Sequence, residues 1–84
     1  MTSSERLVSV RGVLMSKPGA LYELRRRRGH SLRTLAQVAG VSHSGIARLE
    51  RGSVAVYPAT AKRLADALGC EITDIADVVD EVAS

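Results

Sequence analysis

Apolar residues in the middle of this chain recur at helical spacing. Leu32, Leu35, Ala36 and Ala39 fall at i, i+3, i+4 and i+7, which predicts a helix from about Leu32 to Ala39 with one buried stripe. Ser31 precedes it as an N-cap, and Gly40 follows as a stop with a left-handed backbone. A new helix starts almost at once. Val41 plugs the gap, Ser42 is the N-cap, and Ile46 and Leu49 turn inward over a helix from about His43 to Arg51. His43, Ser44, Ala47, Arg48 and Arg51 are left on its other side, and Gly52 ends it.

Three further helices flank this pair. Pro18 to Arg28 buries Leu21 and Leu24, with Gly29 as the stop. Pro58 to Leu68 buries Ala61, Leu64, Ala65 and Leu68 before Gly69. Ile72 to Val82 carries a second apolar stripe: Ile75, Val78, Val79 and Val82. The expected architecture is all-α, a compact five-helix domain over residues 18–84 with an N-terminal extension over 1–17. In that arm "RLVSVRGVLM" alternates weakly. It reads either as a flexible tail or as a short strand in need of a partner, the same strand of a second subunit being one candidate. "SVAVY" at 53–57 reads as a loop or a short extended piece.

Composition narrows the picture. The chain has 84 residues, enough for one small domain. Its 45% apolar content includes no Phe or Trp, and Tyr22 and Tyr57 are the only aromatics, so the core is aliphatic. Cys70 is the single cysteine, which rules out an internal disulfide and a cysteine metal cluster and fits a reducing cytosol. It reads as a small buried hydrophobe. The N-terminus lacks the shape of a signal peptide. No run reaches the roughly 20 apolar residues of a membrane span.

Charge is more informative as a distribution than as the net +3. Residues 1–70 hold all 12 Lys and Arg against four acids, a net of +8, whereas residues 71–84 hold five acids and no base. A basic body with an acidic tail points to a polyanion on one side, although a merely solubilising surface fits as well. The run Arg25 to Arg28 is the densest cluster, and arginines near a helix C-terminus also complement the dipole.

A helix, a short glycine-containing turn and a capped second helix make a helix-turn-helix layout. The stretch "LRRRRGHSLRTLAQVAGVSHSGIARLERG", followed by "TAKRLADALGCEITDI", resembles the lambda-repressor/Cro-like, or XRE, family over about Leu21 to Ile75. "LA", "GVS", the "I-x-x-L-E-x-G" of the third helix and "LA-x-ALG" stand in order at family spacing.

The resemblance implies that the helix from His43 to Arg51 enters the major groove. His43, Ser44, Ala47 and Arg48 then occupy base-reading positions. Arg48 can donate two parallel bonds to a guanine edge, a contact worth roughly 1–3 kcal/mol of discrimination. Phosphate binding or plain solvation are its other readings. His43 and Ser44 can meet a base or a phosphate, and Ala47 a thymine methyl. Ser31, Arg33, Ser42 and Arg51 are the implied phosphate contacts, since helix N-termini offer unpaired amides to anions. Gly45 fits either close backbone approach to the duplex or simple tolerance near a first turn. Arg25 is implied to pair with Glu50 and lock the first helix to the reading helix.

Two departures stand out. Leu32 takes a position where the family commonly has a phosphate-binding Gln, and "SVAVYP" is an uncharged, apolar loop where basic residues are common.

The resemblance makes the expected function that of a sequence-specific double-stranded DNA-binding transcriptional regulator in the cytoplasm. The expectation is a repressor that binds a pseudo-palindrome as a homodimer. Ile75, Val78, Val79 and Val82 are the candidate dimer stripe, with closure of the monomer core as the other reading. A small phage or plasmid regulator, an antitoxin or a compact bacterial repressor would fit. The competing class is a protein-interaction module, served by loop 53–57 or the acidic last helix. No catalytic triad, metal-ligand pair or phosphate loop is apparent, so neither an enzyme nor a metal or cofactor is expected.

Overall fold

The computed structural model describes residues 12–80. Eight elements follow in order: β1 (Gly12–Ser16), α1 (Pro18–Arg27), α2 (Leu32–Ala39), α3 (His43–Arg51), β2 (Ala55–Val56), α4 (Pro58–Leu68), α5 (Ile72–Ile75) and β3 (Ala76–Asp80). The five helices surround one aliphatic core of Leu21, Leu35, Ala39, Ile46, Leu49, Leu64, Ala65, Leu68 and Ile75. Leu24, Leu32, Ala36, Val41 and Cys70 pack around its margin.

The helix boundaries follow from local chemistry. Ser31 and Thr34 form a reciprocal capping box. The Ser31 hydroxyl accepts from the Thr34 amide at 3.1 Å, and the Ser31 amide donates to Thr34 Oγ1 at 2.8 Å. Gly40 ends α2 at φ +69°, a backbone that a β-carbon would oppose, and its amide still bonds to Ala36 O.

The C-terminal part departs from the expected last helix. The helical run stops at Ile75, and residues 76–80 are extended. They pair antiparallel with β1, Leu14 opposite Val78 and Met15 opposite Asp77, while β2 pairs on the other side of β1. The sheet order is therefore β2-β1-β3. The arm between residues 12 and 16 is thus a strand whose partners lie in its own chain.

The physical reason is competition for the valines. Val78 and Val79 fit a helical stripe by spacing, yet β-branched side chains favour a pleated surface once a partner strand exists. The expected dimer stripe is correspondingly split. Ile75 is 3% exposed and belongs to the monomer core, while Val78 and Val79 point to opposite faces of a strand. Val82 lies outside the described residues.

One buried polar side chain joins the sheet to the helices. Ser16 is 4% exposed. Its hydroxyl donates to Gly52 O at 3.0 Å and accepts from the Val54 amide at 3.1 Å. That pair of bonds fixes the path of the chain as it leaves α3.

Candidate nucleic-acid interface

The exposed side of α3 is built from its two ends inward. At the start, Ser42 Oγ accepts from the Gly45 amide at 3.0 Å, which satisfies one first-turn donor and sets where the helix begins. A β-carbon at residue 45 would lie 2.7 Å from that same oxygen. A side chain at residue 45 would therefore displace the capping hydroxyl, a reason for glycine beyond the two that the sequence left open.

At the other end, Arg25 reaches from α1 to Glu50. Its Nε donates to Glu50 Oε2 at 2.7 Å and its Nη2 to Oε1 at 3.1 Å, while Nη1 donates to His30 O at 3.0 Å. The side chains are 11% and 9% exposed. The hydrogen bond to Glu50 raises the Arg25 pKa above its ordinary value, and burial opposes this with a smaller effect. One guanidinium thus ties α1, the turn after it and α3 together. The Tyr22 ring lies against both Arg25 and Arg26, with the guanidinium carbons 5.3 and 5.5 Å from its centroid.

Between these fixed ends, His43, Ser44, Arg48 and Arg51 are exposed, and Ala47 is half-buried among them. Ile46 and Leu49 on the opposite side are buried. Arg33 and His43 line one cleft of about 420 Å³ with Gln37 and Val41, so the outer faces of α2 and α3 form one continuous rim. Ser31 and Ser42 are exposed at the two helix starts with their oxygens engaged in capping. Arg26, Arg27 and Arg28 are exposed near the end of α1. The acids Glu71, Asp74 and Asp77 sit on or beside α5 and β3, elements that pack on α1, α4 and β1. The outer side of α2 and α3 keeps three exposed arginines, Arg33, Arg48 and Arg51.

A helix-turn-helix model matches residues 21–75, about two thirds of the chain. The chain belongs to this helix-turn-helix family. Among solved structures it is similar to the restriction-modification controller protein C.AhdI from Aeromonas hydrophila. The two are 36% identical, with a TM-score of 0.61, over 66% of this chain and 83% of that one. No significant match was found among curated proteins. β1 and β3 lie outside the family segment, and α1 to α5 nearly fill it.

Several residues beside the interface had no distinct sequence signal. Ser16 orders the chain after α3, as described above. Arg63 on α4 donates to Gly40 O at 3.3 Å and so braces the turn between α2 and α3. Lys17 donates to Thr73 O at 2.8 Å and lies 3.4 Å from Asp77. Loop 53–57 divides. Val54 and Val56 pack against the core, whereas Tyr57 is 81% exposed and shares a cleft with Arg48. Cys70 is half-buried, and burial pushes its thiol pKa up, helped by Asp74 and opposed by Arg28. Among the described residues no helix is long and apolar enough to cross a membrane.

Proposed function

We propose that this protein is a sequence-specific regulator of transcription that inserts α3 into the major groove of double-stranded DNA. The observation that carries this reading is the exposed set His43, Ser44, Arg48 and Arg51 on a helix pinned at both ends, by the Ser42 cap and by the Arg25–Glu50 pair. A reading helix must hold its side chains in fixed register against base edges, and rigid anchoring limits the ordering cost on binding. Arg48 and its neighbours His43, Ser44 and Ala47 read bases. Ser31, Arg33, Ser42 and Arg51 hold phosphates and set the docking angle.

The similarity to a controller protein supports a regulatory role, since that relative is named for control of a restriction-modification system. A single short helix reads too few base pairs for a unique site, so the active species is a homodimer on a pseudo-palindrome. Occupied DNA is closed to polymerase, which makes repression the direct consequence of binding where the site overlaps a promoter. A protein-interaction role would rest on the exposed Tyr57 and the acids of α5 and β3, since Val54 and Val56 pack against the core.

The test is selection of randomised duplex DNA on the purified chain, followed by titration of the winners at several salt concentrations. The expected result is a two-fold symmetric consensus whose affinity falls steeply with salt, with a log–log slope of about −0.9 per phosphate neutralised. Salt-sensitive binding without a consensus would reduce the interface to a basic surface, and absence of binding would overturn the reading.

A further inference from the structure

Among the described residues β3 is an outer strand of the sheet, and nothing pairs with its outer side. The hydrogen bond from the Lys17 amide to Ile75 O sets the phase of the β1–β3 ladder, and the bond from the Ser16 amide to Val54 O runs the opposite way, toward β2. Because bonding alternates along an antiparallel strand, Asp77 and Val79 bond inward to β1. The backbone N–H and C=O groups of Ala76, Val78 and Asp80 therefore face outward. Two large apolar side chains accompany them, Val78 at 64% and Val79 at 46% exposure. The strand "ADVVD" has no lysine or proline, but it carries two acids, Asp77 and Asp80, so a strand pairing here must set each carboxylate opposite a neutral residue.

We propose that this edge is the self-association surface. The β3 strands of two copies pair antiparallel across a two-fold axis at Val78 and join both sheets into one. The proposal rests on the dimer named in the proposed function and supplies its interface. A two-fold axis demands antiparallel self-pairing, and charge and strand length select its position. An axis at Val78 sets Ala76 opposite Asp80, Asp77 opposite Val79 and Val78 opposite itself, so no acid faces an acid and every outward backbone group finds a partner. An axis at Asp77 sets two carboxylates against each other. An axis at Val79 leaves only residues 78–80 of each strand to pair.

Side chains agree with the backbone. Val56, Leu14 and Val78 form one cross-strand row. Pairing at Val78 extends that row into the Val78 and Leu14 of the second copy and covers the exposed valine. On the other face Val79 meets an Asp77 whose carboxylate is held by Lys17 of its own chain. The edge is also placed for the task. β2 lies on the side of β1 where Leu14, Val56 and Tyr57 share a cleft with Arg48, while β3 lies beyond β1. Association through β3 leaves both reading helices open.

The test uses the full chain in a Cys70→Ala background. Directly opposed bonding residues have α-carbons about 5.5 Å apart, within disulfide range, whereas two Val79 residues would sit roughly 8 Å apart, outside it. Under mild oxidation Val78→Cys is expected to cross-link about tenfold or more faster than Val79→Cys. Val78→Pro, with otherwise native Cys70, removes an outward amide and no inward one, so it should leave the helical circular dichroism intact. It should raise the dimer dissociation constant by about a hundredfold in sedimentation equilibrium. Equal cross-linking of the two cysteine variants, or a folded Val78→Pro dimer of wild-type affinity, would overturn the proposal. A wild-type chain that stays monomeric and binds DNA would overturn the edge and the dimer while leaving DNA binding in place. Selective cross-linking without any DNA binding would sustain the edge and sink the DNA-binding reading.

Discussion

Arg25 grips Glu50 with two hydrogen bonds and spends a third on the carbonyl of His30, so one side chain spans the two helices and the turn that decide the interface. Both charges are largely removed from water. Deleting the carboxylate strands a cation that has lost much of its hydration. Glu50→Ala is expected to cost about 2–3 kcal/mol, toward the low end for a buried pair because the site is not fully dry. That corresponds to a fall in Tm of roughly 10–20 °C for a domain of this size. An unchanged thermal melt would refute the structural role.

Arg48 should behave in the opposite way. Its side chain is exposed and makes no hydrogen bond within the described residues, so Arg48→Ala is expected to leave the melt unchanged. Loss of one bidentate base contact weakens preference for the selected site by about 1–3 kcal/mol, roughly 5- to 150-fold. The check is competition between the selected duplex and a scrambled one, and an unaltered ratio would remove Arg48 from the reading set.

Gly45 and Ser42 should be coupled. Alanine is normally the better helix former by about 1 kcal/mol, but a β-carbon here meets the capping hydroxyl at 2.7 Å. Gly45→Ala alone is expected to gain nothing, because the cap it disturbs is itself worth about 1 kcal/mol. In a Ser42→Ala background the same substitution should stabilise by about 1 kcal/mol. Additive effects in the double-mutant cycle would show that the contact imposes no strain.

Ser16→Ala removes two hydrogen bonds at once and leaves Gly52 O and the Val54 amide short of a partner. A cost of about 1–3 kcal/mol is expected. Because those groups direct the chain away from α3, amide exchange should quicken first at residues 53–56. Uniform quickening across the domain would argue for a purely global effect.

Cys70 gives a pH dependence. Its folded pKa is raised, so the folded chain holds the thiol proton more tightly than the unfolded chain does. Its contribution is complete below the unfolded thiol pKa, about 8.5, and is lost as pH rises through the folded value. Urea melts of wild type and Cys70→Ala at neutral and alkaline pH should therefore converge on the alkaline side. A difference that is constant with pH would contradict this.

How much of this was legible in the sequence depends on how local each cause is. The caps at Ser31 and Ser42, the stops at Gly40 and Gly69 and the inward leucines act within one or two turns, and each stands where the spacing placed it. Glu50 lies 25 residues from Arg25, and only the family resemblance paired them. Spacing makes residues 76–80 helical because Ile75, Val78 and Val79 satisfy a helical stripe. The weak alternation of the arm marks a possible strand some 60 residues upstream, but nothing local says that residues 76–80 are its partner. Ser16 was invisible for the same reason, since nothing near it in sequence reveals that it will be buried against Gly52 and Val54.

The register of Gly12 opposite Asp80 makes a near-closed ring of the backbone. Helices that assemble through neighbours in sequence can form early, but the ribbon must wait until the whole intervening chain has been gathered in, which places its closure late in folding. The same closure brings Gly12 and Asp80 side by side at one end of the sheet. A short peptide bridge laid from Asp80 to Gly12 would therefore allow the chain to be opened in another loop, which changes the order of the helices along the chain but not their packing.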